Sequence, residues 1–254
     1  MAKIPQYMTQ NFIDENLKIP LGVYPGLSSV NKFGQNPTMA SGATEEIWDG
    51  STTYVFPATA LMTKLSQTTD QAAFQGETVR IEGLDANMAA VIQDVIVDDT
   101  DSTTPVVLAT PLKRVNRMYC LSAVVTDSSI RLHNDAENVN YSVIEPGNNQ
   151  TLQAIYTVPA GKQAYVTGLY AAILAGGGNP TACDIKLWNT DNANGYAKQL
   201  KFVFGIDLDF QAHFQHSFKP YKIFPAQSDI YVTGTTVAAT ASVSAGFDLI
   251  LVDE

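Results

Sequence analysis

Charge is scarce in this chain. Of its 254 residues only 16% are Asp, Glu, Lys or Arg, and 25 acidic against 15 basic side chains leave a formal net charge of -10. Average globular proteins carry about a quarter charged residues, so Thr, Ser, Asn, Gln and Ala must cover much of this surface. An acidic chain repels phosphate at long range, which argues against nucleic acid as a partner. Long apolar runs are missing too: no stretch reaches the roughly 18 apolar residues of a membrane span, so no membrane partner is expected. The opening Met1-Ala2-Lys3-Ile4-Pro5 lacks a basic region followed by an apolar one, so no secretory signal is expected and synthesis is placed in the cytoplasm. The two cysteines, Cys120 and Cys183, cannot build a disulfide framework. With 45% hydrophobic residues and dispersed charge, the chain is expected to fold around a core rather than remain disordered.

Histidine is equally sparse, and that bounds the chemistry. His213 and His216 are three apart on an expected strand, so they leave opposite faces and cannot chelate one metal. His133 lies in a polar turn and reads as solvated. Cys120 and Cys183 sit inside apolar alternation, where a thiol is packing material. The cluster Asp94, Asp98, Asp99, Asp101 lacks the glycine and bidentate glutamate of a calcium loop and reads as a solvated turn. Asp191 in the Asn189–Asn194 loop is explained by the turn Asn194-Gly195. Gly176-Gly177-Gly178 has neither the Lys-Ser/Thr nor the helix of a phosphate loop. Glycoside hydrolysis by two carboxylates from separate strands stays open on sequence grounds. No catalytic residue, metal or cofactor is expected.

What the chain does have is β periodicity behind an unusual beginning. Residues 1–60 carry Pro5, Pro20, Pro25, Pro37 and Pro57 with frequent Gly, Ser, Thr and Asn, and show no sustained period apart from a short helix near Gln10–Asn16. Large apolar side chains are spaced along it: Phe12, Tyr24, Phe33, Trp48, Tyr54 and Phe56. Two readings follow, an extended N-terminal arm gripping a partner at intervals, or a long segment wrapped on its own domain. The first makes those six residues the partner-binding set.

From about Leu61 the period becomes two. Val79 and Ile81 alternate with Arg80 and Glu82, Cys183, Ile185 and Leu187 oppose Asp184, Lys186 and Trp188, and Val243, Ala245, Phe247, Leu249 and Leu251 share a face. Leu208, Phe210, Ala212 and Phe214 alternate cleanly with polar neighbours and read as a half-buried strand. Strands recur with turn signals between them, and Glu145-Pro146-Gly147-Asn148-Asn149 is the strongest break. The expected fold is all-β: an extended arm, then antiparallel β-sandwich modules of jelly-roll type at 61–145 and 146–254, with one larger sandwich as the alternative.

Several strings carry a resemblance. Asn31-Lys32-Phe33-Gly34-Gln35-Asn36-Pro37, Glu45-Glu46-Ile47-Trp48-Asp49-Gly50, Asn149-Gln150-Thr151-Leu152, Tyr156-Thr157-Val158-Pro159-Ala160-Gly161-Lys162, His213-Phe214-Gln215-His216-Ser217-Phe218-Lys219-Pro220 and the run Ser244–Glu254 are similar to structural proteins of tailed bacteriophages, in particular those of marine and cyanobacterial phages. The resemblance implies a non-enzymatic virion component that decorates or cements the capsid, with the major capsid protein and copies of itself, as a trimer at local three-fold positions, for partners. The alternative within the virion is a head fibre or tail-associated adhesin, for which a host surface glycan is the partner. A jelly-roll enzyme acting on carbohydrate is the reading from a different class.

Overall fold

A computed structural model describes residues 14–50, 53–175 and 180–254. Among these residues sixteen strands are arranged as two antiparallel β-sandwiches, with a short helix, α1 (Glu15–Lys18), and a 3-10 turn at Ala72–Phe74. In the larger one, a sheet of order β1-β16-β11-β14 is built from β1 (Leu27–Met39), β11 (Lys162–Ala175), β14 (His213–Phe224) and β16 (Ala241–Asp253). The facing sheet runs β10-β15-β12-β13, from β10 (Ile155–Thr157), β12 (Ala182–Asp191), β13 (Gln199–Asp207) and β15 (Ser228–Val237). A short strand β2 (Thr44–Glu46) pairs with Thr233–Thr235 of β15, while β10 pairs with Asp229–Tyr231 of the same strand. Since β12 holds the other edge of β15, β2 and β10 lie end to end as two halves of one strand. Counted that way, eight strands form sheets of order 1-8-3-6 and 2-7-4-5, the jelly-roll order.

The period-two pattern dictates this core. Val243, Ala245, Phe247, Leu249 and Leu251 of β16 and Cys183, Ile185 and Leu187 of β12 are all buried between the two sheets. Asp184, Lys186 and Trp188 take the other face of β12.

The smaller sandwich fills the interval between β2 and β10. Its sheets are β6-β3-β8-β9 and β5-β4-β7, from β3 (Met62–Gln67), β4 (Thr78–Leu84), β5 (Ala90–Ile96), β6 (Val106–Leu112), β7 (Arg114–Cys120), β8 (Ile130–His133) and β9 (Asn140–Ile144). Met62, Leu65, Val79, Ile81, Met118 and Leu132 are among its buried core residues. A glutamine closes each seam between its sheets. Gln93 of β5 donates to the Thr110 carbonyl (2.9 Å) and accepts from the Thr110 amide (3.1 Å) on β6. Gln153 accepts from the Ser142 hydroxyl of β9 (2.8 Å) and donates to the Val115 carbonyl of β7 (2.9 Å). A side-chain amide carries the same donor and acceptor as a peptide, so each one stands in for a missing strand contact.

Three readings of the sequence change here. Residues 27–39 are extended, but as β1 they pair with β16 along Leu27–Met39 and belong to the larger sandwich. Leu208–Ala212 is the reversal joining β13 to β14, not a strand: the amides of Phe210 and Gln211 both donate to the Asp207 carbonyl (3.1 and 2.7 Å). Phe210 is consequently 89% exposed. The third is His133, which is buried on β8 with its ring between the Ser66 hydroxyl and the Asn134 carbonyl, both at 3.0 Å.

Candidate functional site

The chemistry-bearing side chains that sequence periodicity passes over converge where the two sandwiches meet. Arg114 opens β7 and crosses to Asp229 on β15, with Nε to Oδ1 at 2.8 Å and Nη2 to Oδ2 at 2.9 Å. Both side chains are almost wholly buried, 4% and 2% exposed. The Thr157 hydroxyl and the Asn192 amide also donate to the carboxylate (2.6 and 2.9 Å), and Arg114 donates onward to the carbonyls of Pro57 and Lys113. Such a pair is stable in a dry interior because both carboxylate oxygens and all three guanidinium nitrogens are hydrogen-bonded. Beside it Asn116 donates to the Thr157 carbonyl (3.0 Å) and accepts from the Thr157 amide (2.8 Å), completing the outer edge of β10. The amides of Cys120 and Thr151 bond to Asn149 and Met118 across the same line (2.9 and 3.0 Å), so the segment leading into β10 zips along β7.

Next to this joint lies a cleft of about 530 Å³ walled by β1, β4, β5 and β7. Lys32 of β1 points into it with only 7% exposure and donates to the Asn116 carbonyl. Burial, reinforced by the nearby Arg117 guanidinium and partly opposed by Glu82 and Asp49, lowers its pKa to about 7. Arg117 stands at the cleft with its guanidinium 4.3 Å from the Tyr119 ring centre and donates to Gln150 (2.9 Å). Asp49, buried below, has its pKa raised to about 7, chiefly by desolvation and against a hydrogen bond from the Leu152 amide. An amine seated on a backbone carbonyl of the opposite sandwich fastens β1 to β7.

The six residues of the expected partner-binding set separate. Trp48 and Tyr54, 1% and 4% exposed, pack edge to face at 5.2 Å. Phe56 continues the stack to Tyr54 (4.7 Å) and Tyr231 (5.1 Å), and Val143 and Ile155 complete the cluster. These three rings therefore grip the chain's own sandwiches. Tyr24 and Phe33 are exposed, the latter on the cleft wall, and Phe12 lies outside the described residues. Gly176, Gly177, Gly178 and Asn179 also lie outside them.

Other candidates resolve into ordinary structure. Asp98 accepts from the Thr100 amide and hydroxyl and the Asp101 amide, which holds its carboxyl below the usual range, and Asp101 caps Thr103 in the same way. Asp191 accepts from the Asn194 amide groups at 3.1 and 2.8 Å. Burial pushes the Cys120 and Cys183 thiols up to about 11, away from the thiolate. His213 and His216 leave opposite faces of β14, and His216 stacks on Phe202 at 4.6 Å.

Exposed apolar side chains occur on both sandwiches. On the larger sandwich Leu200, Val203, Phe210, Tyr221 and Ile223 stand out along β13, β14 and the turn between them. On the smaller one Ile92 and Ile96 of β5 and Val107 of β6 do the same. No protein-family model, curated protein or solved structure matches the chain.

Proposed function

We propose that this chain is a non-enzymatic structural protein of a tailed-phage virion, one that decorates the capsid shell. The observation that carries the reading is the exposure of large apolar side chains on both sandwiches, Ile92, Ile96 and Val107 on the smaller and Val203, Phe210, Tyr221 and Ile223 on the larger. A subunit of a decorated shell must touch at least two neighbours, the shell and the next copy, and exposed apolar side chains on both sandwiches suit that need. The internal ties between the sandwiches, Arg114 to Asp229 and Lys32 to Asn116, hold the two together. Scarce charge suits such surfaces, because uncharged Thr, Ser and Asn lose little on desolvation. The sequence resemblance to phage structural proteins points to the same class.

Under this reading the β5–β6 side of the smaller sandwich, where Ile92, Ile96 and Val107 are exposed, meets the shell. The test adds purified chain to capsids lacking it and measures bound copies by co-sedimentation and cryo-electron microscopy. Density at repeating lattice positions on the head is expected. The variants Ile92→Glu and Val107→Glu should cut occupancy by at least about tenfold with unchanged melting, since each places a charge in an apolar contact. Density confined to the tail or to a vertex, or no binding at all, would overturn the decoration reading. The first outcome would favour adhesion instead.

A further inference from the structure

Sheet edges are where one chain pairs with another, and this molecule covers most of its edges. Gln93 and Gln153 close the two seams of the smaller sandwich. Asn116 caps β10, β1 runs along the cleft against the smaller sandwich, and β14 carries Pro220, which has no N–H to offer. β13 is different. One edge pairs with β12, the other has no strand among the described residues, and its nine residues contain no proline. Its inward side chains Phe202, Phe204 and Ile206 alternate with outward Val203, Gly205 and Asp207, and Val203 is 48% exposed. A bulge at Leu187/Trp188 leaves Lys201 as the extra residue, at the end of the regular stretch.

The charges on this strand are self-complementary. We propose that the free edge of β13 pairs antiparallel with the same edge of a second copy, about a two-fold axis beside Phe204. In that register Phe204 faces its own counterpart and Phe202 faces Ile206 of the partner subunit. Val203 faces Gly205 of the partner subunit, and Lys201 faces Asp207 of the partner subunit, twice over. Lys201 and Asp207 form no ion pair within the chain among the described residues. The parity of a strand restricts slippage to steps that keep each side chain on its own face, and the neighbouring two-fold registers set Lys201 or Asp207 against an uncharged residue or beyond the strand. Charge therefore selects the Phe204-centred register. The pairing also finishes a half-covered aromatic layer: Phe204 stacks on Phe214 at 4.0 Å and Phe202 meets Phe218 at 5.1 Å along this open flank. Two sandwiches then share one continuous sheet, an isologous contact that does not depend on which shell the protein decorates.

The test uses the full chain in solution, with mass measured by sedimentation equilibrium against concentration. Wild type should be dimeric. Lys201→Asp and Asp207→Lys each set like charges opposite each other at both ends of the contact, so either variant alone should weaken dimerisation at least about tenfold. Mixed in equal amounts, the two variants place opposite charges at both ends again, and heterodimers should return. Circular dichroism and melting establish that each variant is folded. As a second reading independent of substitution, amides of Phe202–Ile206 should exchange more slowly as the wild-type concentration rises. A monomeric wild type, a dimer indifferent to both variants, or two folded variants that fail to pair when mixed would each overturn the proposal.

Discussion

Arg114 and Asp229 put the strongest single demand on this structure, because each is tolerable in its dry site only through the other. With four donors on the Asp229 carboxylate, removing the guanidinium leaves a buried anion with two neutral partners. Arg114→Met should cost about 3–5 kcal/mol. The double substitution Arg114→Met with Asp229→Leu should recover much of that loss, because no charge is then stranded. Urea unfolding midpoints of wild type and the two variants check this, and a double variant no better than the single would count against the pair as the joint's anchor. Lys32 and Asp49 make a different, pH-dependent contribution. Lys32 titrates at about 7 in the folded chain against an ordinary 10.5, so between pH 7 and 10 the unfolded chain binds more protons and stability rises with pH. Asp49 titrates at about 7 against an ordinary 3.8, so between pH 4 and 7 the folded chain binds more protons and stability falls as pH rises. Together they carve a dip near neutral pH. The thermal midpoint of Lys32→Met should lose the alkaline rise while keeping the acid-side fall; an unchanged alkaline slope would remove Lys32 as its source.

Among the elements, β1 decides whether the first part of the chain is an appendage or a wall. Gly34 stands where β1 crosses the segments that enclose the insertion, above the hydrogen bond from the Ala154 amide to the Ile47 carbonyl (2.8 Å). A Cβ there would lie 2.3 Å from the Ala154 nitrogen and 2.6 Å from the Ile47 oxygen. Both are backbone atoms and neither can swing aside, so Gly34→Ala should cost about 3 kcal/mol or more. A melting curve overlaying wild type would show that β1 does not press on that crossing. The same strand shows where sequence reading succeeds and where it stops. β12 and β16 are legible residue by residue, because one face of each is buried and alternation records burial. β1 is not: its buried positions include Lys32, Gly34 and Asn36, none of them apolar, since it packs against backbone and a polar joint. Phe210 errs in the other direction, an apolar residue in step with its neighbours by composition alone while the chain around it turns. The joint was invisible for a related reason. Arg114, Asn116, Gln153 and Asp229 lie up to 115 residues apart and carry no local pattern, and nothing in the sequence separates buried Arg114 from Lys113 and exposed Arg117 beside it.

At the level of the whole molecule the jelly roll is the host and the smaller sandwich the guest. The guest leaves between β2 and β10, two halves of one strand, and the host already holds the gap closed. Trp48 and Gln153 face each other as antiparallel partners, and the Asp49 amide donates to the Leu152 carbonyl (3.0 Å). Joining Gly50 directly to Thr151 therefore needs only the four-residue turn Asp49-Gly50-Thr151-Leu152, a sequence with good turn chemistry. The eight-strand core with Val243, Phe247, Ile185 and Leu187 remains intact on that path. What is lost is Arg114, which strands Asp229, and the apolar cover over Ile155 and Tyr231. The chain lacking residues 51–150 should consequently fold poorly by itself and fold cooperatively once Asp229→Asn removes the buried charge. Dispersed amide resonances and a sigmoidal melt in the second protein are the expected readout. If both shortened chains stay unfolded, the two sandwiches are a single folding unit and the guest is part of the host's core.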